Sequence, residues 1–255
     1  MDTFAFEHQG TTYIFAELYS FWLQRGVIGY TCLKNGKFTK WKPVIVEPYH
    51  LSYPHLFEKD GEIYMIPESF ESGEVYAYRA TDFPNKWERA YTLKSGVRYV
   101  DTSRFVDGDQ AYAFTYDIGT QETHRLLLYR LQNEKMEDAF CHALTDNNAV
   151  ARPGGAPFCD ANGWIRVSQD CEGAYGKAVV FSRIGENFWE NYTETPLLHF
   201  GTADIVLDKN LRISGIHTYT GTDTIEVVDL KGKIFHPISL AIRILRKICR
   251  LLNRK

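Results

Sequence analysis

The chain has 255 residues, of which 44% are hydrophobic, 15% aromatic and 24% charged, and its formal net charge is -3. This composition suits a globular protein with one sizeable core and excludes a disordered chain. The slight acidic balance argues against a general nucleic-acid binder, which carries a basic excess.

The first residues, MDTFAFEHQG, have neither a basic n-region nor an apolar run, so no signal peptide is expected. No stretch approaches the roughly 18 apolar residues of a membrane span. The five cysteines form no C-x-x-C pair. They suggest neither a disulfide framework nor a metal site, and the expected compartment is the cytoplasm.

In chain order, five segments share one pattern: an apolar strand, a turn, and a second strand rich in aromatic or β-branched residues. They are DTFAFEHQGTTYIFAE from Asp2, YPHLFEKDGEIYMIPE from Tyr53, DTSRFVDGDQAYAFTY from Asp101, RPGGAPFCDANGWIRVSQ from Arg152 and TADIVLDKNLRISGIH from Thr202. A recurrence of about fifty residues lies in the range of propeller repeats. Further strand signals such as GEVYAYRA and RLLLYRL supply four strands per unit. The expectation is an all-β, five-bladed β-propeller over residues 1–233, followed by a short amphipathic helix over 234–255.

Each unit opens with a hairpin whose tip is marked by Gln9-Gly10, Asp60-Gly61, Asp107-Gly108, Asn162-Gly163 or Asp208-Lys209-Asn210. A hairpin returns its two ends to one side. The starts Asp2, Tyr53, Asp101, Arg152 and Thr202 therefore lie near the ends Glu17, Glu68, Tyr116, Gln169 and His217. All carry a polar group, and in a propeller these ends surround the central axis. Strand ends are polar in any case where they approach solvent, but a ring with several carboxylates, including the neighbours Asp117 and Asp170, is better explained by a site.

The segments HLSYPHLFEKDGEIYMIPES, RATDFPNKWE, YVDTSRF, ARPGGAPF and VSQDCEGAYGKAVV resemble the propeller at the N-terminus of the plant glucosamine inositolphosphorylceramide transferases. That propeller is in turn similar to glycoside hydrolase family 43. The resemblance covers residues 2 to 230 and implies a carbohydrate-active protein. In the resembled hydrolases a base Asp opens the first blade, a second Asp the third, and a general-acid Glu the fourth. Asp2 and Asp101 fall on the first two positions. The fourth unit opens with Ala151-Arg152-Pro153-Gly154-Gly155, and no Glu or Asp lies between Asp146 and Asp160.

The missing acid has a chemical meaning. Hydrolysis of an ordinary glycoside needs protonation of a poor leaving group, hence paired acid and base. A sugar nucleotide or sugar phosphate leaves as a stable anion and needs charge stabilisation, which Arg supplies. The alternative for Arg152 is an ion pair with Asp101 or Asp170 that ties adjacent blades together. His217 has two readings as well, a sugar ligand or a structural cap of a strand end.

After Lys233 the period becomes helical. Ile238, Ala241, Ile242, Leu245, Ile248, Cys249 and Leu252 share one face, while Arg243, Arg246, Lys247, Arg250 and Arg254 share another. Such a helix suits the interface of an anionic membrane, which would make the protein peripheral on the inner face; the alternative is a helix docked on the propeller's side.

The preferred function is a glycosyltransferase-like enzyme of surface polysaccharide or glycolipid biosynthesis that uses a phosphate-linked sugar and no cofactor. Asp2, Glu68 and Asp101 are the catalytic candidates. Glu17, Tyr53, His55, Arg152, Gln169, Asp170 and His217 are the substrate-binding candidates, and the partners are a sugar nucleotide or glycan and an anionic membrane surface. A glycoside hydrolase with Glu17, Glu68 or Asp170 as the substitute acid is the second reading. A non-catalytic glycan-binding or assembly module is the third.

Overall fold

The computed structural model describes residues 2–119, 124–206 and 212–232. They form a β-propeller with four complete antiparallel blades. Blade 1 runs through Thr3–His8, Thr11–Ser20, Arg25–Lys34 and Lys37–Phe38, with Lys42–Ile45 pairing the third strand. Blade 2 comprises Ser52–Lys59, Glu62–Glu68, Glu74–Asp82 and Lys86–Ser95, and blade 3 Tyr99–Asp107, Gln110–Asp117, Arg125–Arg130 and Cys141–Thr145. In blade 4 the inner strand is split into Arg152–Pro153 and Phe158–Asp160. Both pieces pair with Gly163–Asp170, which is followed by Ala178–Ile184 and Glu194–Gly201.

Period-two alternation explains how these sequences stack as blades. Successive strand side chains point to opposite faces of a sheet, and here both faces meet a neighbouring blade. In the run from Leu126 to Tyr129, Leu126 and Leu128 enter the wedge against blade 4, while Leu127 and Tyr129 enter the wedge against blade 2. Blade 2 divides in the same way: Met65, Tyr76 and Tyr78 pack toward blade 1, and Ile66, Val75 and Ala77 toward blade 3. The core is thus a set of wedges between blades. Phe114, fully buried in one of them, would cost about 3–5 kcal/mol if cut to Ala.

The hairpin tips follow the turn chemistry of their dipeptides. Gln9-Gly10 and Asp60-Gly61 both have two consecutive positive φ angles, the requirement of a two-residue type I′ turn.

The five-bladed expectation is corrected in its last unit. Thr202–Asp204 is not a strand but a single 3-10 turn, closed by the Gly201 amide donating to Asp204 Oδ2 at 2.8 Å. Downstream, Ile213–Gly215 pairs with Lys231–Gly232, and Tyr219–Gly221 with Glu226–Val228, giving two short ladders in place of a four-stranded sheet. This segment closes the ring nevertheless. The Tyr219 amide donates to Gly154 O of blade 4 at 2.8 Å. On the other side the amides of Thr3 and Ala5 in blade 1 donate to the hydroxyls of Thr218 and Thr220, at 3.3 and 2.8 Å. Gly155 is required at this junction, because a Cβ there would come within 2.1 Å of Tyr219 O. The expected turn at Asp208-Lys209-Asn210 and the expected helix over 234–255 lie outside the described residues. Among the described residues no helix is long and apolar enough to cross a membrane.

Candidate active site

Two inner strands carry the same backbone irregularity where they approach the axis. Pairing slips between Ser52 and His55 in blade 2 and between Val100 and Ser103 in blade 3. Within each slip one non-glycine residue takes a positive φ, Tyr53 at 43° and Asp101 at 53°. Such bulges redirect a side chain out of the alternation and are common beside functional sites. Here Tyr53 and Asp101 turn inward and are completely or almost completely buried. The Tyr53 hydroxyl meets Ser103 Oγ at 2.7 Å, and the Tyr53 amide donates to Asp2 Oδ2 at 3.2 Å.

Above this floor lies a cavity of about 530 Å³, lined by Asp2, Glu17, Tyr19, His50, Ser52, Glu68, Arg152, Tyr175, His217, Asp229, Leu230, Lys231 and Gly232. Arg152 binds Asp101 Oδ2 through Nε, approaches Glu68 Oε2 to 3.8 Å through Nη2, and lies 4.8 Å from the centre of the Tyr175 ring. Gln169, cross-strand from Arg152, donates to Asp101 Oδ2 at 3.2 Å and to Pro153 O at 2.8 Å. On the far side His217 stands between two carboxylates, with Nε2 at 3.0 Å from Asp2 Oδ1 and Nδ1 against Asp229 Oδ2. Gly176 makes room for it: φ is +59° and a Cβ would come within 2.6 Å of His217 Cβ.

The electrostatics follow from burial set against pairing. Burial, reinforced by the neighbouring Asp101 charge and opposed by Arg152, pushes the Glu68 carboxyl well above the usual range. Burial also raises Asp101, against the pull of Arg152. Burial acts on Asp2 too, but the contact and charge of His217 outweigh it and hold Asp2 below the ordinary value. Burial opposes charge on His217, yet Asp2 and Asp229 override it and push the imidazole up to about 9. Burial raises Glu17, which lies 3.6 Å from His50. The cavity therefore brings together a carboxyl held low (Asp2), one held high (Glu68) and three basic groups, Arg152, His217 and Lys231. The Lys231 ammonium lies 5.4 Å from the Tyr175 ring centre and donates to Tyr175 O at 2.6 Å.

Of the residues expected from the sequence, Asp2, Glu17, Glu68, Arg152 and His217 line the cavity, and Tyr53, Asp101 and Gln169 form the layer beneath. Two are placed elsewhere. Asp170 follows Gln169 on its strand and so faces the other way, where it pairs with Lys177 at 3.0 Å and His199 at 2.9 Å. His55 is buried with its ring near Phe4 and Phe57. Burial and the nearby Arg104 charge drop it to about 3, a neutral core histidine. The Arg152 pairing runs to Asp101 and not to Asp170. Cavity residues not anticipated include His50, Tyr175, Asp229 and Lys231. Tyr175 sits inside the VSQDCEGAYGKAVV segment and His50 heads HLSYPH, so their neighbourhoods were visible while their roles were not.

The family described as glucosamine inositolphosphorylceramide transferase 1, N-terminal, matches residues 1–210. The chain belongs to this family. Similar curated proteins are glucosamine inositolphosphorylceramide transferase 1 of Oryza sativa subsp. indica and of Arabidopsis thaliana. The rice protein is 29% identical over 205 residues, covering 77% of this chain and 27% of that one. The Arabidopsis protein is 28% identical over 215 residues, covering 76% and 26%. The chain thus spans about a quarter of the length of these relatives. Among solved structures, an alpha-L-arabinofuranosidase from Lactobacillus brevis superimposes with a TM-score of 0.64 at 10% identity, over 93% of this chain and 86% of that one. An endo-arabinase from Bacteroides thetaiotaomicron gives 0.61 at 12% identity, over 92% and 94%. At such identities the likeness concerns the propeller fold.

Proposed function

We propose that this propeller is a glycosyltransferase-like enzyme that transfers a sugar from a phosphate-linked donor to a glycolipid or polysaccharide acceptor. The observation that carries the reading is the placement of Arg152, His217 and Lys231 on one cavity with the carboxyl groups of Asp2 and Glu68. The names of the family and of its curated relatives support the same class of chemistry.

In this reading the acceptor hydroxyl oxygen attacks the anomeric carbon, and its proton passes to Asp2. The bond from that carbon to the phosphate oxygen breaks, and the phosphate keeps the electron pair. Arg152 and Lys231 neutralise the departing anion, the kind of electrostatic stabilisation that needs no proton. Glu68 donates a hydrogen bond to a sugar or phosphate oxygen. Asp101 and Gln169 touch no substrate; they position Arg152. Tyr175 offers a ring edge of the cavity for sugar contact. The work would be done in the cytoplasm at the membrane, with the basic sequence over 234–255 as one attachment.

One observation favours a second reading, a glycoside hydrolase: Glu68 and Asp2 are two carboxyl groups at one cavity, pushed in opposite directions from their ordinary values, as acid and base would be. The deciding experiment incubates the protein with radiolabelled sugar nucleotides and lipid-linked or glycan acceptors, and separately with aryl glycosides. Donor-dependent labelling of an acceptor that Asp2→Asn lowers at least about 100-fold, the usual scale for a positioned acid–base group, supports transfer. Release of the aryl group without donor consumption replaces it with hydrolysis. Binding without either reaction makes the propeller a glycan-binding module.

A further inference from the structure

The turn between the second and third strands of blade 1 has the sequence Ser20-Phe21-Trp22-Leu23-Gln24-Arg25. Its fold is set by polar groups. The Leu23 amide donates to Ser20 Oγ at 3.2 Å, the Gln24 amide donates to Ser20 O at 2.7 Å, and Gln24 takes the positive φ. Nothing in that geometry needs three apolar side chains, yet Trp22 is 68% exposed and Leu23 and Phe21 each 38%.

The turn stands at the mouth of the cavity. Glu17 and Tyr19, the residues leading into it, line the cavity, and Gly26, just past it, donates to the cavity residue His50 at 2.9 Å. Tyr19 packs its ring edge-on to Phe21, with centroids 5.4 Å apart. Across the mouth Leu230 is also exposed and lines the same cavity. Single exposed apolar residues are ordinary, but a continuous set at a pocket rim marks a contact surface.

The occupant is indicated by charge. The described chain ends at Gly232, itself a cavity residue, beside Lys231. From Lys231 onward the sequence contains basic residues and no Asp or Glu. An aromatic–apolar tip on a cavity that also carries Lys231, in a chain whose remaining sequence is basic, matches the headgroup layer of an anionic bilayer, where Trp is favoured and basic residues are attracted. We propose that the Phe21-Trp22-Leu23 turn inserts into an anionic lipid surface and holds the cavity mouth against it, so that a lipid-linked acceptor is reached from the membrane. The transferase reading supplies the acceptor class, and the docking surface rests on it in that respect alone.

The test uses the full chain and phosphatidylcholine vesicles containing phosphatidylglycerol. W22S/L23S should reduce vesicle partition about tenfold or more, since binding scales with buried apolar area. Its thermal melt should match wild type, because both side chains are exposed. Vesicles of brominated lipid should quench wild-type tryptophan emission more than that of W22F, which keeps the apolar tip but lacks this fluorophore. Equal partition of wild type and W22S/L23S, or equal quenching of wild type and W22F, overturns the proposal. Self-association abolished by W22S/L23S, with no vesicle binding by wild type, overturns it in favour of a second copy. Calorimetry with sugar nucleotides in vesicle-free buffer separates the two readings. Lost partition with unchanged donor affinity supports both, and lost partition with no donor bound by either protein supports the docking surface and removes the transferase reading.

Discussion

His217 supplies a prediction in which structure fixes both sign and size. Its imidazole is almost buried between Asp2 and Asp229, and these two acids raise it from 6.5 to about 9. A group held more basic in the folded state stabilises the protein fully below its unfolded value of 6.5 and loses that contribution as pH rises through about 9. At 1.36 kcal/mol for each tenfold, the contribution is about 3 kcal/mol. His217→Gln should therefore be less stable than wild type by about 3–5 kcal/mol near pH 6, because two buried carboxylates lose their cation. Raising the pH past 9 should shrink that gap by about 3 kcal/mol as wild type loses its imidazolium. Urea unfolding of both proteins at a series of pH values measures the gap directly and cancels the titration of groups they share. Parallel profiles from pH 6 to alkaline pH (~10 at the upper limit, near the Lys and Tyr reference values) would refute the argument. They would mean that His217 is neutral and that Asp2 lacks the partner which keeps it ionised.

Arg152→Ala should lower stability by about 3–5 kcal/mol, since Asp101 is left buried without its counter-charge. Arg152→Lys should recover part of it, without restoring the two-pronged reach to Asp101 and Glu68; a melting temperature unchanged by Ala would refute the pairing. Gly176→Ala should displace His217 and cost at least about 1 kcal/mol, because the residue is both left-handed and in contact with that side chain. Chemical denaturation and the pH profile of the variant would read it, and a wild-type pH profile would count against the contact. Glu68→Gln should leave stability within about 1 kcal/mol of wild type, because burial disfavours the charged carboxylate and the amide is its neutral match in shape. A large loss would show that Glu68 is ionised and paired with Arg152.

Sequence reading succeeded where a local signal and a global consequence coincide. The dipeptides Gln9-Gly10 and Asp60-Gly61 fix tight turns, tight turns return strand ends to one side, and so Asp2, Glu17, Glu68 and Arg152 could be grouped before any geometry was known. Gln169 lies in the layer beneath the cavity, whereas its neighbour Asp170, expected at the same site, faces away from it. Two adjacent strand residues face opposite ways, and the period-two rule applied to that pair would have removed Asp170. His55 was lost to the bulge at Tyr53: a pairing slip shifts which residue faces the axis, and no residue type announces one. Lys231 comes from a ladder two residues long and Asp229 from the link before it, both too short to carry a periodic signal. For the same reason the segment after Thr202 was read as a hairpin, whereas its strands take partners from further along the chain.

The contact between Asp2 and the pair His217 and Asp229 joins residues more than two hundred positions apart, across the junction where threonine hydroxyls, rather than a paired strand, tie blade 1 to the last ladders. During synthesis most of the cavity wall emerges before His217, Asp229 and Lys231, which complete it. A ribosome-bound chain ending anywhere before Asp229 could stack four blades and still carry an unfinished cavity, so the pocket takes shape only when the circle closes.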